Sequence, residues 1–353
     1  MKIGILTLPL HTNYGGILQA YALQTVLERM GHETFHIKIR NWQLQRKTLR
    51  SVFSSLVHRY TKRNISQSVS YRFIDEHIKY KDYEGFCFIQ KSDFDVIVVG
   101  SDQIWNYAFV PKIENVYLDF TQTWNVKRIA YATSFGTETW NYKDDDTHKC
   151  KELLKLFSGV SVREDIAISL CEHNLGHTPF CTLDPTLLLR SDDYKKFVRP
   201  QRVYANTPKN LFAYLIVDSQ GERNLLNMIS KDFEIVTVIS LAQKEKKEFL
   251  PSVEDWITYI ANAGFVITDS FHCCVFSILF RKPFVVIASA KGVSRLYSLL
   301  RKLGLTSQII SEDATNNILH AAMQKAYEYI INEEKLEQWR KSSMHFLESY
   351  IKK

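Results

Sequence analysis

Apolar residues along this chain come in short runs that end abruptly in polar turns, and amphipathic stretches follow the turns. Lys2 to Leu8, Thr34 to Ile39, Val96-Ile97-Val98-Val99-Gly100, Arg128 to Thr133 and Gly159 to Val162 read as strands. The Val96 run has no alternation, as in a parallel strand covered on both faces. Ile17 to Met30 reads as a helix closed by Gly31, and a second helix is expected around Lys151 to Phe157. Leu183-Asp184-Pro185-Thr186 closes this half of the chain.

A polar stretch from Ser191 to Asn210 holds Pro200 and Pro208 and reads as a domain boundary. The pattern then restarts. Leu211 to Val217, Ile235 to Ile239, Phe265 to Thr268 and Phe284 to Ile287 are expected strands, with helices between them, including Val253 to Ala263. Glu333 to Ile351 reads as one long helix with Leu336, Trp339, Phe346 and Leu347 on its apolar face. The class is therefore α/β, with two Rossmann-like doubly wound domains facing a cleft and a C-terminal helix. The expected bounds are 1–195 and 205–330, followed by the helix at 331–353. A basic helical insertion is expected around 40–81.

The 353 residues suffice for two domains of ordinary size. No stretch approaches a membrane span. The start of the chain reads as a first strand rather than a signal peptide. The six cysteines show no zinc spacing, which points to reduced thiols and a cytoplasmic protein. Cys273 and Cys274 directly follow a histidine, but an apolar helix makes packing thiols the better reading. Net charge is +7, with part of it between Lys38 and Arg63 among interleaved apolar residues. That segment reads as a solvated helical insertion; the alternative is a basic amphipathic helix on anionic lipid or against an anionic substrate. The charge is the sole hint of nucleic acid, and no nucleic-acid motif accompanies it.

Four polar clusters fall at expected strand ends, where open α/β sheets bind ligands. His11-Thr12-Asn13-Tyr14-Gly15-Gly16 is either an anion-binding turn or a plain tight turn; it lacks the dinucleotide and P-loop fingerprints. In Gly100-Ser101-Asp102-Gln103-Ile104-Trp105-Asn106, Ser101 and Asp102 either cap a helix or, with Asn106, hold a sugar. Arg163 in Ser161-Val162-Arg163-Glu164-Asp165 either forks onto a substrate carboxylate or phosphate or pairs with Glu164 or Asp165. The fourth cluster joins His272, on the first turn of a helix after Thr268-Asp269-Ser270, with Lys291, Ser294 and Arg295 after the next strand. A proton donor beside two cations suits a small dianion. The plainer alternative is a helix cap beside a packed histidine.

Together the Asn13–Gln19 loop, Val99–Asn106, Ser161–Glu164, Leu183–Thr186, Ile267–His272, Lys282-Pro283-Phe284 and Ser294-Arg295-Leu296 resemble the polysaccharide pyruvyl transferase family. The resemblance runs from Met1 to about Leu305. It implies a GT-B-like fold and transfer of the enolpyruvyl unit of phosphoenolpyruvate onto two hydroxyls of a sugar. The sugar would belong to a surface or capsular polysaccharide or its lipid-linked precursor, the product would be a pyruvate ketal, and phosphate would leave. The resemblance implies no organic cofactor and no metal. On this reading His272 and Arg163 are catalytic, with His272 acting as acid or base. Lys291, Arg295, Asn13, Gly15, Gly16, Ser101, Asp102, Asn106, Asp269 and Ser270 bind substrate. Asp269 caps the helix or orients His272, and capping is favoured. The family usually has a small residue after the histidine, often glycine, where this chain has Cys273. The expected partners are phosphoenolpyruvate and a saccharide acceptor, at the inner face of the membrane if the acceptor is lipid-linked. A nucleotide-sugar glycosyltransferase on the same architecture and a non-catalytic glycan binder are the competing readings.

Overall fold

The computed structural model describes residues 1–11, 13–40, 42, 69–200, 209–241, 250–288 and 293–352. The chain divides into two compact units, Met1–Leu189 with Gln338–Lys353, and Arg190–Glu337.

The first unit is built on seven parallel strands. These are β1 (Lys2–Leu6), β2 (Glu33–Ile39), β3 (Tyr80–Tyr83), β4 (Val96–Val99), β5 (Lys127–Thr133), β6 (Gly159–Val162) and β7 (Phe180–Cys181), in the order β3-β2-β1-β4-β5-β6-β7. The chain winds outward from β1 to β3, then returns and winds the other way from β4. A crevice is therefore left between the carboxyl ends of β1 and β4. Its helices are α1 (Tyr14–Arg29), α2 (Val69–His77), α3 (Asp144–Leu154), α4 (Asp165–Leu170) and α5 (Pro185–Leu188). Of the basic insertion expected over 40–81, residues 41 and 43–68 lie outside the described residues. Its final part is not helical throughout, because Lys81 lies in the edge strand β3, paired with β2. Strands β4 and β6 are buried at every position, as the unbroken apolar run of β4 requires.

The second unit has five parallel strands, β8 (Asn210–Leu215), β9 (Ile235–Ser240), β10 (Phe265–Thr268), β11 (Phe284–Ala288) and β12 (Ile309–Ser311), in the order β12-β11-β10-β8-β9. Here the winding reverses between β8 and β10. The helices are α6 (Ser191–Lys195), α7 (Gln220–Ile229), α8 (Val253–Asn262), α9 (Phe271–Leu279), α10 (Val293–Leu303) and α11 (Asn316–Glu328). One sheet face buries Leu211, Ala213, Phe265, Ile267, Val285 and Ile287 against Leu225, Leu319 and Met323. On the other face Tyr214 meets Trp256 of α8 edge-on. A fully buried side chain of this size stabilises the fold by roughly 1.5–3 kcal/mol.

The last helix, α12 (Glu333–Lys352), is not a separate piece: from Gln338 onward it belongs to the first unit. Its Ser343 hydroxyl accepts from the Leu183 amide at 2.9 Å, and its Tyr350 ring lies over Gly159. A Cβ at Gly159 would come within 2.5 Å of that ring, so only glycine allows the helix this close. The unit boundary falls between Leu189 and Arg190 rather than within 195–205. Among the described residues no helix is long and apolar enough to cross a membrane.

Candidate functional site

The crevice of the first unit is lined by the turn after β1 and the turn after β4. Asn13 caps α1, its side chain accepting from the Gly16 amide at 3.2 Å, and its amide nitrogen reaches Asp102 at 3.4 Å. Gly15 and Gly16 are buried in the first turn of α1. A Cβ on Gly16 would lie 3.3 Å from the Asn13 amide nitrogen, tighter than ordinary contact, and 3.5 Å from an Asp102 carboxylate oxygen. Asp102 itself is left-handed, at φ 67°, and its backbone bridges to Thr133 at the end of β5. Such a conformation is unusual for a residue with a Cβ and is held here by its surroundings.

Those surroundings centre on Arg163. Its side chain is 1% exposed and pairs with Asp184 at 2.8 Å, Asp102 at 3.2 Å and Glu164 at 3.5 Å. Asp184 also accepts from Ser101 at 2.9 Å and from the Thr186 amide and hydroxyl at 3.0 and 2.6 Å. Glu164 accepts from Ser134 at 2.5 Å. Burial opposes the guanidinium charge, but the three carboxylates outweigh it and hold its pKa above the ordinary value. This geometry revises the expectation that Arg163 clamps a substrate anion. The local pair with Glu164 is present, and the fork is filled by the chain's own carboxylates. Ser101 and Asn106 are likewise engaged internally: Asn106 donates to Gln103 at 2.9 Å and accepts from the Ala108 amide at 3.0 Å.

In the second unit β10 delivers the turn that carries His272. Thr268 donates its hydroxyl proton to the Tyr214 carbonyl of β8 at 2.6 Å and accepts from the Ser270 amide at 3.0 Å. Ser270, not Asp269, caps α9, accepting from the Cys273 amide at 3.3 Å. Asp269 neither caps the helix nor bonds His272. Its two carboxylate oxygens accept from the Ile216 and Val217 amides at 2.7 and 2.8 Å, bridging the ends of β10 and β8. A carboxylate two residues from a helix start could equally have capped it; the free amides where β8 ends decided otherwise.

His272 follows in the first turn of α9, 7% exposed, with the Phe271 ring edge-on at 5.2 Å. Behind it Cys273 and Cys274 are buried, and burial pushes both thiols up, away from the reactive thiolate. β11 runs beside β10, so Ser294 and Arg295, on the first turn of α10, follow the neighbouring strand. Lys291 lies outside the described residues.

Sequence reading assigned no role to Asp184, the acid that holds Arg163 and Ser101 together, or to Glu222. Asp184-Pro185-Thr186 carried a helix-start signal, with proline at the first position. Ser219 and Glu222 carried the spacing of a capping box, which they form. Neither signal tells which charged neighbours the fold will supply.

The polysaccharide pyruvyl transferase family profile matches residues 13–291, taking in the Asn13 turn, the Arg163 cluster and the His272 turn. The chain belongs to the polysaccharide pyruvyl transferase family. It is thereby a transferase. Comparison with curated proteins finds no match. Among solved structures the chain is similar to UDP-GlcNAc 2-epimerase from Neisseria meningitidis bound to UDP-GlcNAc, with TM-score 0.54, 9% identity and full coverage of both chains. It is also similar to the S. aureus MnaA–UDP co-structure, with TM-score 0.53, 13% identity, and 98% of this chain and 92% of that one covered. At such identities the likeness shows the fold, two Rossmann-like domains in one chain.

Proposed function

We propose that this family member transfers the enolpyruvyl unit of phosphoenolpyruvate onto a sugar of a surface or capsular polysaccharide, or its lipid-linked precursor. The observation carrying this reading is the family match over 13–291, which includes a histidine held in the first turn of a helix at the carboxyl edge of a parallel sheet. In the reaction the C3 methylene gains a proton while one sugar hydroxyl adds to C2. The second hydroxyl then displaces phosphate from C2 and closes the ketal. One hydroxyl proton thus replaces that delivered to C3, and the other leaves with phosphate. His272 delivers the proton or accepts it from the hydroxyl. Arg295 and Lys291 are the candidate cations for the donor's carboxylate and phosphate. Arg163 organises the other crevice by holding Asp102, where Asn13 and Gly16 meet it. The chemistry needs no organic cofactor, and the donor and a lipid-linked acceptor would meet at the cytoplasmic face of the membrane.

The UDP and UDP-GlcNAc named for the similar structures make nucleotide sugars the proper comparison ligands. Calorimetric titration should show saturable binding of phosphoenolpyruvate and none of UDP- or GDP-sugars. The reverse result would overturn the reading. His272→Ala should keep donor binding while phosphate release, measured across a panel of saccharide acceptors, falls about 10²–10⁴-fold.

A further inference from the structure

The crevice between β8 and β10 holds a second buried acid. Glu222, in the first turn of α7, is 0% exposed. Its Oε2 accepts from the Ser219 amide at 2.9 Å. Its Oε1 is buried and meets no hydrogen-bond donor among the described residues. Asp269 is close enough that the two carboxyls bear on each other's ionisation. Glu312, which follows β12, accepts from the Ser219 hydroxyl at 2.6 Å. The turn has no room to retreat from it, because a Cβ on Gly221 would come within 2.7 Å of the Glu312 carbonyl oxygen. The apolar side of α7 is fixed by Leu225 and Ile229 packing with Leu319 and Met323 of α11.

A carboxyl oxygen without a donor, beside a second carboxyl, is costly as an anion and well placed as an acid. We propose that Glu222 is a positioning residue for the His272 turn: as a neutral acid it donates a hydrogen bond to Asp269 and so keeps the Asp269 bridge to the β8 amides closed. Burial, then the Asp269 charge and hydrogen bond, and lastly Glu312 raise Glu222 to about 7. Asp218, three residues after β8, is itself held by Arg223 at 2.8 Å. When Glu222 ionises, Asp269 faces a like charge, and its hold on Ile216 and Val217 weakens. Asp269 lies three residues before His272, so the histidine turn loses its anchor to β8. That His272 is what this turn presents rests on the reading under Proposed function.

Glu222→Gln is the direct test. The amide oxygen can keep the Ser219 contact and the amide nitrogen can donate to Asp269, which fixes the neutral state at every pH. The dissociation constants of phosphoenolpyruvate for the native protein and the variant should be measured from pH 6 to 8.5. Their ratio cancels the titration of the ligand's own phosphate. The ratio should be near one at pH 6 and grow by about fivefold or more above pH 7, as native binding weakens. A ratio flat across the range would overturn the proposal. Glu312→Gln should move the midpoint to lower pH by removing a neighbouring negative charge; an unmoved midpoint would also count against it. If neither protein binds phosphoenolpyruvate at any pH, the functional reading fails, and melting temperatures then decide the proposal. A Tm advantage of Glu222→Gln that widens from pH 5 to 8 supports it, and a constant difference overturns it.

Discussion

The two sheets of this protein each place an aspartate at the point where the winding reverses, and they keep it there by different means. In the first unit Asp102 is held by Arg163, a fixed cation that also gathers Asp184 and Glu164. In the second, Asp269 is held by two backbone amides and lies beside Glu222, an acid that burial and the neighbouring Asp269 push up to about 7. A guanidinium keeps its charge at every pH a protein meets, so the first crevice is electrostatically constant. On the proposal for Glu222, its proton leaves as pH rises through about 7, so the second crevice is tied to the solvent. The same topological position can thus be rigid in one domain and titratable in the other.

Removing the cation should have the largest effect. Arg163→Met strands three buried carboxylates and should cost about 3–5 kcal/mol in urea unfolding at pH 7. A loss below about 1 kcal/mol would mean that those carboxylates reach water, and the contrast between the crevices would collapse. Asp269→Asn comes next. One of the two amides loses its acceptor, which should cost about 1–3 kcal/mol. That cost should also depend on pH. Glu222 is raised to about 7 from an ordinary 4.5, so the folded state keeps a proton that the unfolded chain releases. Its contribution is complete below about 4.5 and is lost as pH rises through about 7. An amide in place of the Asp269 carboxylate would relieve Glu222 of its nearest like charge, so the penalty of the substitution should narrow with rising pH. The smallest effect is local: Ser270→Ala removes the cap of α9 and should cost about 1 kcal/mol, equally at pH 6 and 8. A pH-dependent cost there would show that the cap, and not Asp269, carries the coupling.

The long buried strands were legible because an unbroken apolar run such as Val96–Val99 has one comfortable place, inside a parallel sheet. The short strands β3, β7 and β12 were not, since two to four residues are too few to show a period and become strands only when a neighbour offers its edge. Among the candidate site residues, Asn13 and Ser270 act within three residues of themselves, as caps, and their neighbourhoods could be read locally. The surroundings of Arg163 and Asp269 were not legible, for the opposite reason. Each has a plausible local partner, yet each takes its main partners from 21 to 61 positions away.

The sequence by itself determined the alternation of strand and helix, the restart of that pattern after Ser191, the helix caps and the family, because periodicity, capping and motif spacing are properties of neighbouring residues. The tertiary structure decided the strand order, the return of α12 to the first unit, and the company each buried charge keeps. Sheet order brings residues 102, 163 and 184 to one point, and residues 222 and 269 to another. Once water is excluded there, a charge is set by its nearest neighbours in space, and chain position no longer says which those are.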